Sequence, residues 1–163
     1  MSAMASISNR WQNAAYTGAG LLILRVGFGL TLALLHGRGK LAAAAGYLFA
    51  GHDWEFVKTV SSLGFPLPGL FAVLAALSEG LGGLLLALGL FTRFASAAIV
   101  FTLLVAVTFH VRGGQSPELA VAYVLGSLTV LLAGPGEYSL DGLLARRKDA
   151  GRDPLDAGEA SAV

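Results

Sequence analysis

The run ALSEGLGGLLLALGLF at residues 76–91 constrains this chain more than any other feature. It is almost wholly apolar, belongs to a longer apolar stretch beginning near residue 68, and carries Glu79 near its middle. An ionised side chain at the centre of a bilayer costs about 2.5–3.5 kcal/mol on insertion scales. An unpaired carboxylate there must bind a proton or find a partner. The fold therefore has to bury apolar helices in lipid and still bring a polar group to Glu79.

Four apolar runs are long enough to cross a membrane, at roughly 17–37, 68–91, 94–112 and 118–134. A span needs about 20 residues, within about 17–25, so the last two are near the lower limit. Only 13% of the 163 residues are charged and 55% are hydrophobic, whereas a soluble domain carries about a quarter charged residues. The net charge of +1 gives no basis for a nucleic-acid partner. With no cysteine, disulfides, thiol catalysis and thiolate metal sites are excluded. The expected fold is all-α, an integral membrane four-helix bundle with short interfacial helices.

The connections refine this. FTRF at 91–94 makes spans two and three a close hairpin, VRGGQSPE at 111–118 is a tight turn, and GPG at 134–136 stops the fourth span. LAAAAGYLFAG at 41–51 either prolongs the first helix or folds back on it. DWEFVKTVSSLG at 53–64 reads as a short interfacial helix, with Asp53 as N-cap and Gly64 as its stop. YSLDGLLARRKD at 138–149 reads as a surface helix, capped by Tyr138, Ser139 and Asp141. Trp11 and Trp54 are expected as interface anchors, and ARRKD as a contact for anionic lipid heads. The organisation expected is an N-terminal segment over 1–16, a membrane domain over 17–145, and a basic then disordered tail over 146–163. With four spans both termini share a side with the 92–94 turn. That side carries six basic residues (Arg10, Arg93, Arg146, Arg147, Lys148, Arg152) against four on the other (Arg38, Lys40, Lys58, Arg112). The bias places both termini in the cytoplasm.

Arg25 is the expected partner of Glu79. Counted from the cytoplasmic ends of their spans, the two differ in depth by about 6 Å, within reach of a long side chain. Each span also carries a stripe of small residues with one ionisable group: Arg25, Gly29, Ala33 and Gly37; Ala75, Glu79, Gly83 and Ala87; Ala98, Thr102, Ala106 and His110; Glu118, Ala122 and Gly126. Such stripes let membrane helices approach closely. His36, Lys40, His110 and Glu118 all map to the non-cytoplasmic side and are expected to form a polar mouth above the pair. Arg25 and Glu79 read either as an ion pair that fixes helix register or as a proton relay or ligand head-group anchor. The histidines match no metal-ligand spacing, and no metal site is expected.

In order and spacing, RVGFGLTLALLHGRGKL, FPLPG, EGLGGLLLALGLFTR, FH and AGPGEYSLD resemble the DoxX family of small bacterial four-helix membrane proteins over roughly residues 20–145. The family's first-helix pattern falls on Arg25, His36, Gly37, Lys40 and Leu41. Its second-helix pattern falls on Glu79, Gly89, Leu90, Thr92 and Arg93, and its closing pattern on Gly134 to Asp141. The resemblance implies a multi-pass protein of the bacterial inner (plasma) membrane. Some members are similar to subunits of thiosulfate:quinone oxidoreductase, and others to membrane partners of redox-defence enzymes. With the buried charges, the expectation is an accessory subunit, catalytic or not, of a quinone-linked oxidoreductase or redox-defence system, with quinone as the cofactor to look for. Partners would be the lipid bilayer, a membrane or cytoplasmic redox protein, and further copies of the chain. Thiol chemistry known among distant relatives does not carry over, because cysteine is absent. Two other classes stay open: an oligomeric carrier of protons or a small solute, and a structural scaffold or assembly partner.

Overall fold

The computed structural model describes the backbone of residues 2–150 and the side chains from Tyr16 onward. Among the described residues it is all helix, without a strand. The first rod consists of α1 (Ser2–Thr31), a π turn (Leu32–Gly37) and α2 (Arg38–Ala50). It has no break, so 41–50 prolongs the first helix, and helix extends back through the segment expected to precede the span. Gly51, at φ +66°, ends it. The apolar part, Tyr16–Ala50, has 35 residues and is about 52 Å long at 1.5 Å per residue. That exceeds a hydrocarbon core of about 30 Å.

After the break comes α3 (Glu55–Ser62). Its N-cap is Trp54, with no side-chain cap bond, so Asp53 does not play the expected part. Gly64 takes φ +84° past its end. Leu67 takes the left-handed conformation before Pro68, which starts the next rod at the position where a missing N–H costs nothing. This second rod is α4 (Pro68–Leu77), a second π turn (Ser78–Gly82) and α5 (Gly83–Leu88). Then follow α6 (Thr92–Arg112), α7 (Glu118–Ala133) and α8 (Leu140–Ala150). Tyr16–Ala50, Pro68–Leu88 and Thr92–Arg112 are each long and apolar enough to cross a membrane. At 16 residues, α7 is one short of the usual lower limit of about 17. The fold is an all-α membrane bundle. The expected contact of Trp11 and the expected disorder beyond Ala150 lie outside the described side chains and residues.

The first two rods pack through small residues, as their stripes require. A Cβ on Gly29 would lie 2.5 Å from the Gly83 carbonyl oxygen, and one on Gly83 would lie 2.8 Å from that of Gly29. At the π turns Gly37 and Gly80 bring their backbones together: a Cβ on Gly37 would meet the Gly80 nitrogen at 2.5 Å. Lipid tails are as apolar as leucine, so close van der Waals approach holds these helices together rather than exclusion of leucines from water. The larger core side chains, Leu32, Leu86, Ile99, Leu103, Tyr123 and Val130, fill the space where α6 and α7 join the pair of rods.

The third and fourth stripes are corrected. Ala98, Thr102, Ala106 and His110 are only half-buried and face a groove, not a helix contact. On α7, Glu118 and Ala122 are exposed. The packed face is instead Tyr123, Gly126, Ser127 and Val130, spaced i, i+3, i+4, i+7. Gly126 belongs to it because the Phe28 ring fills the place of its missing side chain.

Candidate functional site

Arg25 and Glu79 are both deeply buried, at 1% and 3% exposure, but they do not meet. Helix register is the reason. A Cβ on Gly89 would land on Arg25 Nη1, so Arg25 lies level with the end of the second rod. Glu79 is ten residues further along that rod, about 15 Å away. Counting depth from assumed membrane boundaries hid this offset.

Arg25 instead organises the closing segment. Its Nη2 donates to the Tyr138 carbonyl at 2.8 Å, while Nε and Nη1 are buried without a hydrogen-bond partner. Ser139 caps α8, its hydroxyl accepting from the Gly142 N–H at 2.9 Å, as expected of it. Asp141 does something else: its carboxylate accepts from the Phe91 and Thr92 N–H groups, both at 2.9 Å, and from the Thr92 hydroxyl at 2.7 Å. It therefore caps α6 from 50 residues away, and its own N–H donates to the Gly89 carbonyl at 2.9 Å. Burial pushes the Asp141 carboxyl up, but the hydrogen bonds from Thr92 and Phe91 and the Arg25 charge outweigh it and hold it below its ordinary value. This long-range cap was legible in sequence only as an acidic residue after GPG.

The partner of Glu79 is Lys40, whose Nζ lies 2.5 Å from Glu79 Oε1. The lysine side chain is 31% exposed. Its ammonium also sits 4.8 Å from the centroid of the Phe56 ring on α3, which ties the interfacial helix to the pair by a cation–π contact. The π turns affect this geometry. The Arg38 N–H donates to the Ala33 carbonyl, five residues back. One such turn holds an extra residue, so faces beyond it shift by up to about 100° from α-helical expectation. Glu79 itself lies in the second π turn.

The pair forms part of the wall of a groove of about 620 Å³ between the second rod, α3 and α6. This lies within the range of about 300–1,000 Å³ usual for small-molecule sites. Its walls are mostly apolar, Phe71, Leu85, Phe94, Phe101 and Phe109 among them, and α3 lends Phe56, Thr59, Val60 and Leu63. The polar groups it meets are Lys40, Ser78, Glu79, Thr59, Thr102 and His110. Ser78, unmarked by any motif, has a buried hydroxyl with no hydrogen-bond partner.

The expected polar mouth does not assemble as one opening. Lys40 and His110 line the groove, but His36 and Glu118 do not. The His36 ring meets Tyr123 edge-on at 5.8 Å on the α7 side, Glu118 is exposed, and His110 Nδ1 is 2.7 Å from the Ala106 carbonyl of its own helix. No group of three His, Cys, Asp or Glu residues placed to hold a metal ion occurs among the described residues.

The sequence matches the DoxX family over residues 20–111. The chain belongs to the DoxX family. The match takes in Arg25, Lys40, Glu79 and every part of the groove, and it stops before the closing segment that the resemblance extended to residue 145. No curated relative and no solved structure matches the chain.

Proposed function

We propose that this DoxX protein is an accessory membrane subunit of a quinone-linked oxidoreductase or redox-defence system, and that its groove holds the quinone. One observation carries the reading: an apolar groove of ligand size has in its wall a buried carboxylate paired with a lysine and a buried, unpartnered hydroxyl. A quinone needs this combination, with apolar surface for its tail and a few fixed polar groups for its ring oxygens. The head-group role passes from Arg25, which is committed to the Tyr138 carbonyl, to Lys40, Glu79 and Ser78. A scaffold without a ligand has no use for a site of this kind, and the groove favours the quinone reading for that reason.

In this proposal residues 17–145 form a four-crossing domain in the bacterial plasma membrane, with both termini cytoplasmic. The basic residues Arg93, Arg146, Arg147 and Lys148 then face the cytoplasm, in line with the positive-inside rule. The exposed basic end of α8 offers a surface to lipid heads or to a redox partner. Purification in mild detergent followed by extraction of bound lipid tests the reading: quinone is expected to co-purify. Absence of quinone, together with unchanged thiosulfate and peroxide handling in a deletion strain, overturns it.

A further inference from the structure

We propose that the groove selects an uncharged amphiphile with an extended hydrocarbon tail and lodges its head against Lys40, Glu79 and Ser78. The proposal rests on reading the groove as a ligand site, and it narrows the class of ligand.

Size comes first. The groove follows α6 from Phe94 to His110, 16 steps of about 1.5 Å, or about 24 Å. Spread over that length, the volume of about 620 Å³ open to atom centres is a mean cross-section of about 26 Å²; with about 1.4 Å added on each side for the radius of an entering atom, the groove is about 9 Å wide. A helix with its side chains is about 10–12 Å across and cannot sink fully into a groove of that width. With carbon atoms in contact at about 3.5–4.0 Å, the groove admits an extended hydrocarbon chain.

Charge comes second. Lys40 and Glu79 already neutralise each other at 2.5 Å, and Glu79 is only 3% exposed. A charged head entering beside them leaves a net charge in a water-poor interior, the situation membrane interiors penalise most. A neutral head adds none. His110, the other titratable group on the groove, is engaged with the Ala106 carbonyl.

The third observation is independent of these. Hydroxyl side chains in helices commonly return to the carbonyl four residues back. Thr31, Thr108 and Thr129 all do so here, at 2.7, 3.0 and 2.8 Å. Ser78 does not, although it is 8% exposed and lines the groove. Ser96 also has a buried unpartnered hydroxyl, but it lies off the groove. A buried hydroxyl without a partner is costly; that of Ser78 is closed off as it stands, and turning it towards a carbonyl or hydroxyl oxygen on the ligand head supplies what it lacks.

Binding is tested on the full chain in lipid nanodiscs. Trp54 fluorescence reports it, since Trp54 packs on Phe56 at the groove with ring centroids 5.4 Å apart; the signal is corrected with empty discs. Four probes share a ten-carbon tail: decyl-benzoquinone, decanol, decanoate and decylammonium. The neutral probes are expected to bind, and the two ions on the order of fiftyfold more weakly. Glu79→Gln leaves the lysine charge unopposed and is expected to make decanoate the favoured ion. Lys40→Met leaves the carboxylate unopposed and is expected to favour decylammonium. Decanoate binding as tightly as decanol to the native chain overturns the proposal, as does unchanged selectivity in both charge variants. Should those variants fail to insert, Ser78→Ala decides: decanol affinity is expected to fall by about two- to tenfold, and no fall overturns the proposal. Binding of decanol but not decyl-benzoquinone keeps this inference and removes the quinone reading. Binding of neither removes both.

Discussion

Replacing Gly89 by alanine probes the seat of Arg25. Gly89 has φ +69°, a left-handed conformation costing an L-residue about 1–2 kcal/mol. The new Cβ would also land on Arg25 Nη1 and within 2.6 Å of Ser139 Cβ. Arg25 is 1% exposed, so its guanidinium cannot turn out to solvent without a larger rearrangement. Moving it breaks the 2.8 Å bond from Nη2 to the Tyr138 carbonyl, and hydrogen bonds to charged groups contribute about 1.5–3 kcal/mol. The expected destabilisation is about 2.5–5 kcal/mol. Gly51→Ala is the matched control: its φ of +66° is nearly the same, but nothing lies within 4 Å of its Cβ. It should cost only the backbone term, about 1–2 kcal/mol. Reversible unfolding in mixed micelles, followed by far-UV circular dichroism as the denaturing detergent fraction rises, measures both. In an Arg25→Leu background the extra cost at Gly89 should shrink towards that of the control, because the clashing guanidinium is gone. If Gly89→Ala is no more costly than Gly51→Ala in the native background, the account of a guanidinium locked against this turn is wrong.

Three further outcomes follow from the same contacts. The folded-state pKa of Asp141 lies below its ordinary 3.8, so its contribution to stability is complete above that value and lost as pH falls through the lower folded value; Asp141→Asn should flatten this acid limb of a pH–stability curve. Gly37→Ala should destabilise more than Gly80→Ala, because the new Cβ on Gly37 meets Gly80 backbone whereas that on Gly80 meets the movable end of Leu41; overpacking of this kind costs about 1–3 kcal/mol, and the same unfolding assay ranks the two. Lys40→Met strands a carboxylate at 3% exposure and should cost about 3–5 kcal/mol, while Glu79→Gln should cost less, since Lys40 is 31% exposed and can extend towards water.

The apolar runs and the glycine punctuation made much of this fold readable. Runs of about 20 apolar residues have few alternatives to a spanning helix, and the stripe Gly29, Ala33, Gly37 met the stripe containing Gly83 and Ala87 as small-residue packing demands. The site was half legible. The need of Glu79 for a cation could be inferred from desolvation alone, but not which cation. That depended on the register between two rods, fixed by Gly89 closing on Arg25 and Gly37 on Gly80, contacts that no counting from assumed membrane edges can supply. Two π turns then shifted the helical phase around Lys40 and Glu79, and period-3.6 arithmetic has no term for them. Ser78 was invisible because an unpartnered hydroxyl is a property of what surrounds a residue.

The two cations, Arg25 and Lys40, also differ in what they are free to do. Arg25 offers a planar fork, held to a backbone carbonyl against a glycine turn, beneath a segment whose Asp141 caps α6. Any change there has to move the end of α5, the start of α6 and the start of α8 together. Lys40 is a point charge on a flexible stem, partly exposed, and shared between a carboxylate and the face of Phe56 on an eight-residue helix bounded by left-handed glycines. It can change partner with little more than rotamer motion. A ligand oxygen that competes for its ammonium weakens the hold on both Glu79 and α3, so entry into the groove and movement of the interfacial helix are energetically linked. Arg25 has no comparable link. Loss of Arg25 should therefore appear first in stability, and loss of Lys40 in ligand selectivity as well.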